Sequence, residues 1–152
     1  AGERFLRSVR EQLSPGDFML LSSDLVKSEA ELVLAYDDVA GVTAAFDKNV
    51  LARINRELDA DFDLARFAHE ARWNREARRV EMHLVARTDM TVHIRRAQLT
   101  VELAAGESIK TEDSYKFETG EIRDVAQRCG FRCAEQWIDS EWAFAQSLLV
   151  AE

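Results

Sequence analysis

The stretch Thr111-Glu112-Asp113-Ser114-Tyr115 gathers carboxylate, hydroxyl and phenol within five residues. Such a set can donate, accept and carry charge. It falls where the pattern of the chain changes from strands back to helix, and clefts form at such junctions. Composition alone favours the plainer reading, a solvated strand end. Tyr36-Asp37-Asp38 is similar, and by itself reads as a helix C-terminus with a partly buried tyrosine. Trp73, Trp137 and Trp142 are most simply core or sheet-face residues. Other chemistry lacks its signals. None of the six glycines forms G-x-G-x-x-G or a phosphate loop. Cys129 and Cys133 flank Gly130 at a spacing that is neither a redox pair nor half of a zinc site, so reduced structural thiols are expected. His69, His83 and His93 are scattered, with no cysteine or carboxylate at metal-ligand spacing. They are assigned no chemistry.

The elements that must position these residues follow from hydrophobic period. Phe5, Leu6, Val9 and Leu13 recur at helical spacing from Glu3 to Leu13, and Ser14-Pro15-Gly16 ends that helix. Phe18 to Leu21 is a short apolar run that fits a strand buried on both faces in a parallel sheet. Ser28 with Glu31 makes a capping box for a helix ending near Tyr36. A second helix carries the stripe Val42, Phe46, Val50, Leu51, Ile54 and Leu58, separated from the first by Gly41. Between Phe67 and Phe117 the period falls to two, with Val80, Met82 and Leu84 on one face, which predicts an antiparallel meander of about four strands. After Gly120 the pattern is helix, Gly130, then strands over Phe131 to Ile138 and Trp142 to Val150. Both ends therefore read as one α/β layer, residues 1–25 and 115–152, with 26–114 inserted as a module of two helices and antiparallel strands.

Composition bounds the partners. The 152 residues are 47% hydrophobic, enough for a sizeable core. Twenty Lys and Arg against 28 Asp and Glu give a net charge of -8 with the signs mixed, which argues against nucleic acid or an anionic membrane surface. No apolar run approaches the roughly 20 residues of a membrane span. With no signal-peptide pattern at Ala1, a cytoplasmic location is expected.

Taken together and in order, several short segments resemble one family. They are Gly16-Asp17-Phe18-Met19-Leu20-Leu21, Asp24-Leu25-Val26-Lys27, Ala35-Tyr36-Asp37-Asp38, Gly41-Val42-Thr43-Ala44-Ala45-Phe46, Asn49 and Thr111 through Phe117. The resemblance is to the histidine-specific, S-adenosylmethionine-dependent methyltransferases of ergothioneine biosynthesis. It covers nearly the whole chain and corresponds to the family's C-terminal half. It implies an α/β fold in which the C-terminal part of a class I, Rossmann-like methyltransferase sheet is interrupted by an α+β substrate-binding module.

The resemblance also implies roles. Tyr36 matches the tyrosine that hydrogen-bonds the carboxylate end of bound L-histidine, and Glu112 and Ser114 match the pair that reads its imidazole. A carboxylate can accept from one ring N–H while a hydroxyl serves the other nitrogen. Leaving such buried partners unpaired costs about 1–3 kcal/mol each, which would reject an amino acid lacking two ring nitrogens. Met82 and Thr43 match residues lining the same pocket, and plain core packing is an equal reading of both. No residue stands out as an obligatory general base, and no metal is implied. S-adenosyl-L-methionine is expected to be bound mainly by elements upstream of this chain, so no cofactor-binding residue is assigned here. The chain alone is expected to be inactive, with either the missing N-terminal half as partner or self-association through an exposed sheet edge. Asp47 departs from the asparagine expected in the family. Competing expectations are the same family acting on another amino acid or an indole amine, and a non-catalytic binding module or remnant.

Overall fold

A computed structural model describes residues 2–152. The flanking segments, up to Lys27 and from Tyr115 to Glu152, form one compact unit, and Ser28–Ser114 form another.

In the flanking unit, α1 (Gly2–Arg10) stops short of Leu13. Gln12 N–H donates to Val9 O at 3.0 Å and Leu13 N–H to Arg10 O at 3.2 Å, tight i→i+3 bonds that close the helix. Arg10 then locks this end through Nη1 to Leu13 O at 2.8 Å, Nε to Gly130 O at 3.1 Å, and Nη2 to Glu152 O. Gly130 has φ +84°, and a Cβ there would lie 3.3 Å from Arg10 Cγ. Glycine therefore suits both the backbone and the close approach.

Strand β1 (Phe18–Asp24) is the edge of a three-stranded sheet whose other members are β7 (Phe131–Asp139) and β8 (Phe144–Ala151), in the order β1-β8-β7. All neighbours are antiparallel, with Phe18 opposite Val150 and Phe131 opposite Ala151. Parallel pairing and a second covered face were expected for this strand; among the described residues β1 pairs along one edge, antiparallel to β8, and buries one face. Met19 and Leu21 pack with Phe131, Cys133 and Leu149 against Leu6 and Val9 of α1 and Val125 and Ala126 of α4 (Glu121–Arg128). Phe18 and Leu20, on the other face, are 65% and 58% exposed. Apolar residues occupy both parities of the strand, but this unit supplies a helical layer on one side only. Phe5, Trp137 and Trp142 are likewise exposed rather than core, and both cysteines are free.

The sheet hands the chain to the inserted unit at one point. Leu25 makes a parallel bridge with Phe117, Phe117 N–H donates to Asp24 O, and Val26 N–H donates to Phe117 O, both at 3.0 Å. The buried Lys116 ammonium lies 2.7 Å from Asp24, which also meets Lys27 at 2.8 Å. Burial pushes the Asp24 carboxyl up, but the Lys116 and Lys27 ammonium groups outweigh it and hold the acid below its ordinary range.

In the central unit α2 (Glu29–Tyr36) starts at the expected capping box: Glu31 N–H donates to Ser28 Oγ at 3.3 Å and Ser28 N–H to Glu31 Oε2 at 3.2 Å. Helix α3 (Val42–Leu58) buries Asp47 and Leu51, with Ile54 packed beside them. Val42, Phe46, Val50 and Leu58 of the expected stripe are exposed. The buried row begins one residue later than Val42-Phe46-Val50, about 100° around the helix.

The strands form two sheets instead of one meander. Strands β2 (Phe67–Asn74), β3 (Arg79–Ala86) and β6 (Ser108–Tyr115) make one in the order β2-β3-β6, and β4 (Met90–Ile94) pairs with β5 (Leu99–Leu103) in the other. A 3₁₀ turn over Arg95–Ala97 closes the β4–β5 hairpin. Ala86 N–H to Glu107 O and Gly106 N–H to Ala86 O, both 2.8 Å, then return the chain to β3. Leu51, Phe62, Phe67, Leu84, Val92, Ile94 and Leu103 fill the core, with the Phe62 and Phe67 rings 6.1 Å apart. Phe67 is completely buried. Phe67→Ala should therefore cost about 3–5 kcal/mol, read as a lower urea midpoint at unchanged slope.

Candidate functional site

Glu112 and Ser114 stand two residues apart on β6, an alternation that aims both toward the same side of the sheet. That side is the one covered by α2 and α3: Ser114 Oγ lies 2.7 Å from Tyr36 Oη, and Glu112 lines a recess of about 360 Å³ with Phe46, Asp47, Asn49, Val50, Arg53 and Thr111. Glu112 is exposed, and among the described residues it forms no hydrogen bond or ion pair. It is an available acceptor. Asp113 points the other way, 3.3 Å from Arg79 Nε and 3.0 Å from Lys110 Nζ. The acidic motif is therefore divided, one carboxylate left open and the other spent on the sheet.

Asp113 belongs to an ionic cluster on the far face. Glu81 accepts from Arg79 Nη2 at 2.6 Å, Asn74 Nδ2 at 3.1 Å and His83 Nε2 at 3.4 Å. His83 Nδ1 lies 3.1 Å from Ser108 Oγ. The hydrogen bonds from Arg79, and then from Asn74, pull the Glu81 carboxyl down to about 2.

Tyr36 is the last residue of α2. Its neighbour Asp38 sets the next helix by accepting N–H of Thr43 at 2.8 Å and of Val42 at 3.0 Å, bonds that draw its carboxyl down to about 2. Thr43 is thus placed in the first turn of α3. Met82 is 3% exposed, inside the sheet, and its carbonyl accepts from Thr111 Oγ1 at 3.0 Å. The structure brings Tyr36 and Ser114 into contact, puts Glu112 on the same side, and places Met82 and Thr43 in packing and capping positions.

Two residues given no role from sequence join the site. His69 Nε2 is 2.7 Å from the Tyr36 carbonyl, and Nδ1 is 2.8 Å from Asp47 Oδ2. The side chains are 1% and 3% exposed. The available signal was phase: His69 alternates with Phe67 and Ala71 on the inner face of β2, and Asp47 stands one turn before Leu51.

Among the described residues no group of His, Cys, Asp and Glu is arranged to hold a metal, and no helix is long and apolar enough to cross a membrane. The five positive-φ glycines, Gly16, Gly41, Gly106, Gly120 and Gly130, sit singly at separate turns rather than in one loop.

The fold and site define an α/β chain whose inserted unit carries a recess of mixed polar and apolar lining. A model of the family described as "Histidine-specific methyltransferase, SAM-dependent" matches residues 1–151, and the chain belongs to that family. It is 48% identical over 146 residues to the histidine N-alpha-methyltransferase of Mycolicibacterium smegmatis, covering 96% of this chain and 46% of that protein. The histidine N-alpha-methyltransferase of Mycobacterium tuberculosis is 45% identical over 145 residues, 95% of this chain and 45% of its own length. Ergothioneine biosynthesis protein 1 of Schizosaccharomyces pombe is 28% identical over 135 residues, 88% of this chain and 17% of that protein. The chain spans about half the length of the two mycobacterial relatives.

The ionic cluster gives a pH signature with a definite sign. A carboxyl depressed by native partners adds stability above its unfolded pKa, about 4.3 for Glu, and that stability is lost as pH falls through the folded value of about 2. The urea midpoint should decline between those limits, and Glu81→Gln should start lower at pH 6 and flatten the decline. Parallel profiles for the two proteins would contradict this account.

Proposed function

We propose that this chain is the substrate-recognising, C-terminal portion of a methyltransferase that N-methylates the α-amine of L-histidine, toward trimethylhistidine in ergothioneine biosynthesis. The carrying observation is the 2.7 Å Tyr36–Ser114 contact with the open Glu112 carboxylate on the same side of β6. Family membership and the names of the mycobacterial and yeast relatives support it. The antiparallel three-stranded sheet is read as the C-terminal edge of a class I, Rossmann-like sheet, with residues 1–25 and 115–152 as core and 26–114 as the substrate module. The remaining sheet and the S-adenosylmethionine site lie in the portion outside this chain. Without that portion the chain is inactive, and the open edge and apolar face of β1 favour self-association. The location is cytoplasmic.

The chain's own work is to bind and orient. Glu112 accepts from one ring N–H of histidine and Ser114 serves the other nitrogen. Tyr36 has one hydroxyl proton. If it donates that proton to the ligand carboxylate, its oxygen accepts from Ser114, which then meets the ring with its lone pairs. The ring is thereby favoured with both nitrogens protonated and Glu112 as counter-charge. Met82, buried in the sheet, and Thr43, in the first turn of α3, are read as the packing behind this pocket. The reaction forms an N–C bond as the sulfonium S–C bond breaks, with the amine proton released to water. Orientation of the neutral amine is the contribution asked of this module.

A hybrid carrying the upstream portion of the Mycolicibacterium smegmatis relative ahead of this chain tests the reading. It should bind and methylate L-histidine, and Glu112→Ala should weaken histidine binding by about tenfold to a hundredfold, measured by calorimetry, a loss of one charge-assisted hydrogen bond. Unchanged affinity in the variant, or methylation of an indole amine in preference to histidine, would contradict it.

A further inference from the structure

We infer that His69 and Asp47 are positioning residues that hold Tyr36 for substrate, an inference that rests on the histidine-binding reading above. Tyr36 ends α2, where main-chain carbonyls have no partner further along the helix. Its carbonyl is captured instead from β2 by His69 Nε2 at 2.7 Å. A carbonyl cannot donate, so Nε2 carries the proton. The other nitrogen meets Asp47 Oδ2 of α3 at 2.8 Å, fixing the ring at both ends within the protein. The Tyr36 phenol then reaches β6 at Ser114. Four elements are thus tied through one residue, whose main chain is held by the buried pair and whose side chain faces the recognition strand.

The pair shares one proton beyond the Nε2 proton. It lies on His69 Nδ1 facing an ionised Asp47, or on Asp47 facing a neutral ring. An asparagine at position 47 would offer an N–H to Nδ1 of a neutral ring and leave the bond to Tyr36 unchanged. Removing the imidazole removes the carbonyl's partner, frees the last turn of α2 and lets the phenol leave Ser114. Histidine binding is then impaired, while affinity for the methyl donor is not.

The test uses the hybrid enzyme described above, after wild-type turnover of histidine is established. A wild-type hybrid that binds no histidine would overturn the underlying reading of function. With turnover present, His69→Phe/Asp47→Leu, which leaves no carboxylate buried alone, should raise KM for histidine about tenfold. KM for S-adenosylmethionine should stay within about twofold, and Asp47→Asn should keep KM for histidine within about twofold of wild type. A folded double variant with unchanged KM for histidine would overturn the inference, as would a fall in kcat alone in proportion to lost folded protein. Should the double variant not fold, ¹⁵N spectra of wild-type His69 decide. A protonated Nε2 whose resonance shifts on addition of histidine supports the positioning role; an unprotonated Nε2, or one indifferent to histidine, overturns it.

Discussion

The buried imidazole of His69 is the constraint on which the central unit turns. A helix end, a second helix and a strand all present oxygen or nitrogen atoms that must find partners away from water, and one ring satisfies the carbonyl of Tyr36 and the carboxyl of Asp47 together. The arrangement costs desolvation of three polar groups but leaves none of them orphaned. Tyr36 is therefore met at its main chain by His69 and at its phenol by Ser114, both at 2.7 Å.

The same economy divides β6. A strand sends successive side chains to opposite faces, so a run of adjacent polar residues necessarily serves two environments. Asp113 is consumed by Arg79 and Lys110 on the far face, while Glu112 and Ser114 remain on the side of the helices. Glu81 belongs to the same cluster, where three donors converge on one carboxylate.

Local signals were legible from the residues alone. The Ser28–Glu31 capping box, the inward face of Val80, Met82 and Leu84, the turn at Gly130 and the free cysteines all depend on neighbours close in sequence. What depended on distant partners was not. Phe18 and Leu20 have the composition of a doubly covered strand, but coverage is supplied by other elements and one side has none in this unit. On α3, Val42, Phe46 and Val50 outcompete Asp47 on any hydrophobic count, whereas the true inward row contains that aspartate, with His69 as its hydrogen-bond partner at 2.8 Å. A histidine and an aspartate 22 positions apart carry no mutual spacing signal. The divided sheets of the central unit were hidden for a similar reason, since the return of β6 to β3 is decided by main-chain bonds at Ala86.

The parallel bridge between Leu25 and Phe117 brings the departing and returning chain together, and the sheet sees the whole intervening polypeptide as little more than a loop closed at its base. The entropic cost of closing such a loop grows only logarithmically with its length. Adding or removing residues between these points therefore changes the closure cost little. The fold thus lets the length of the central polypeptide vary at little closure cost, through a doorway one strand pair wide.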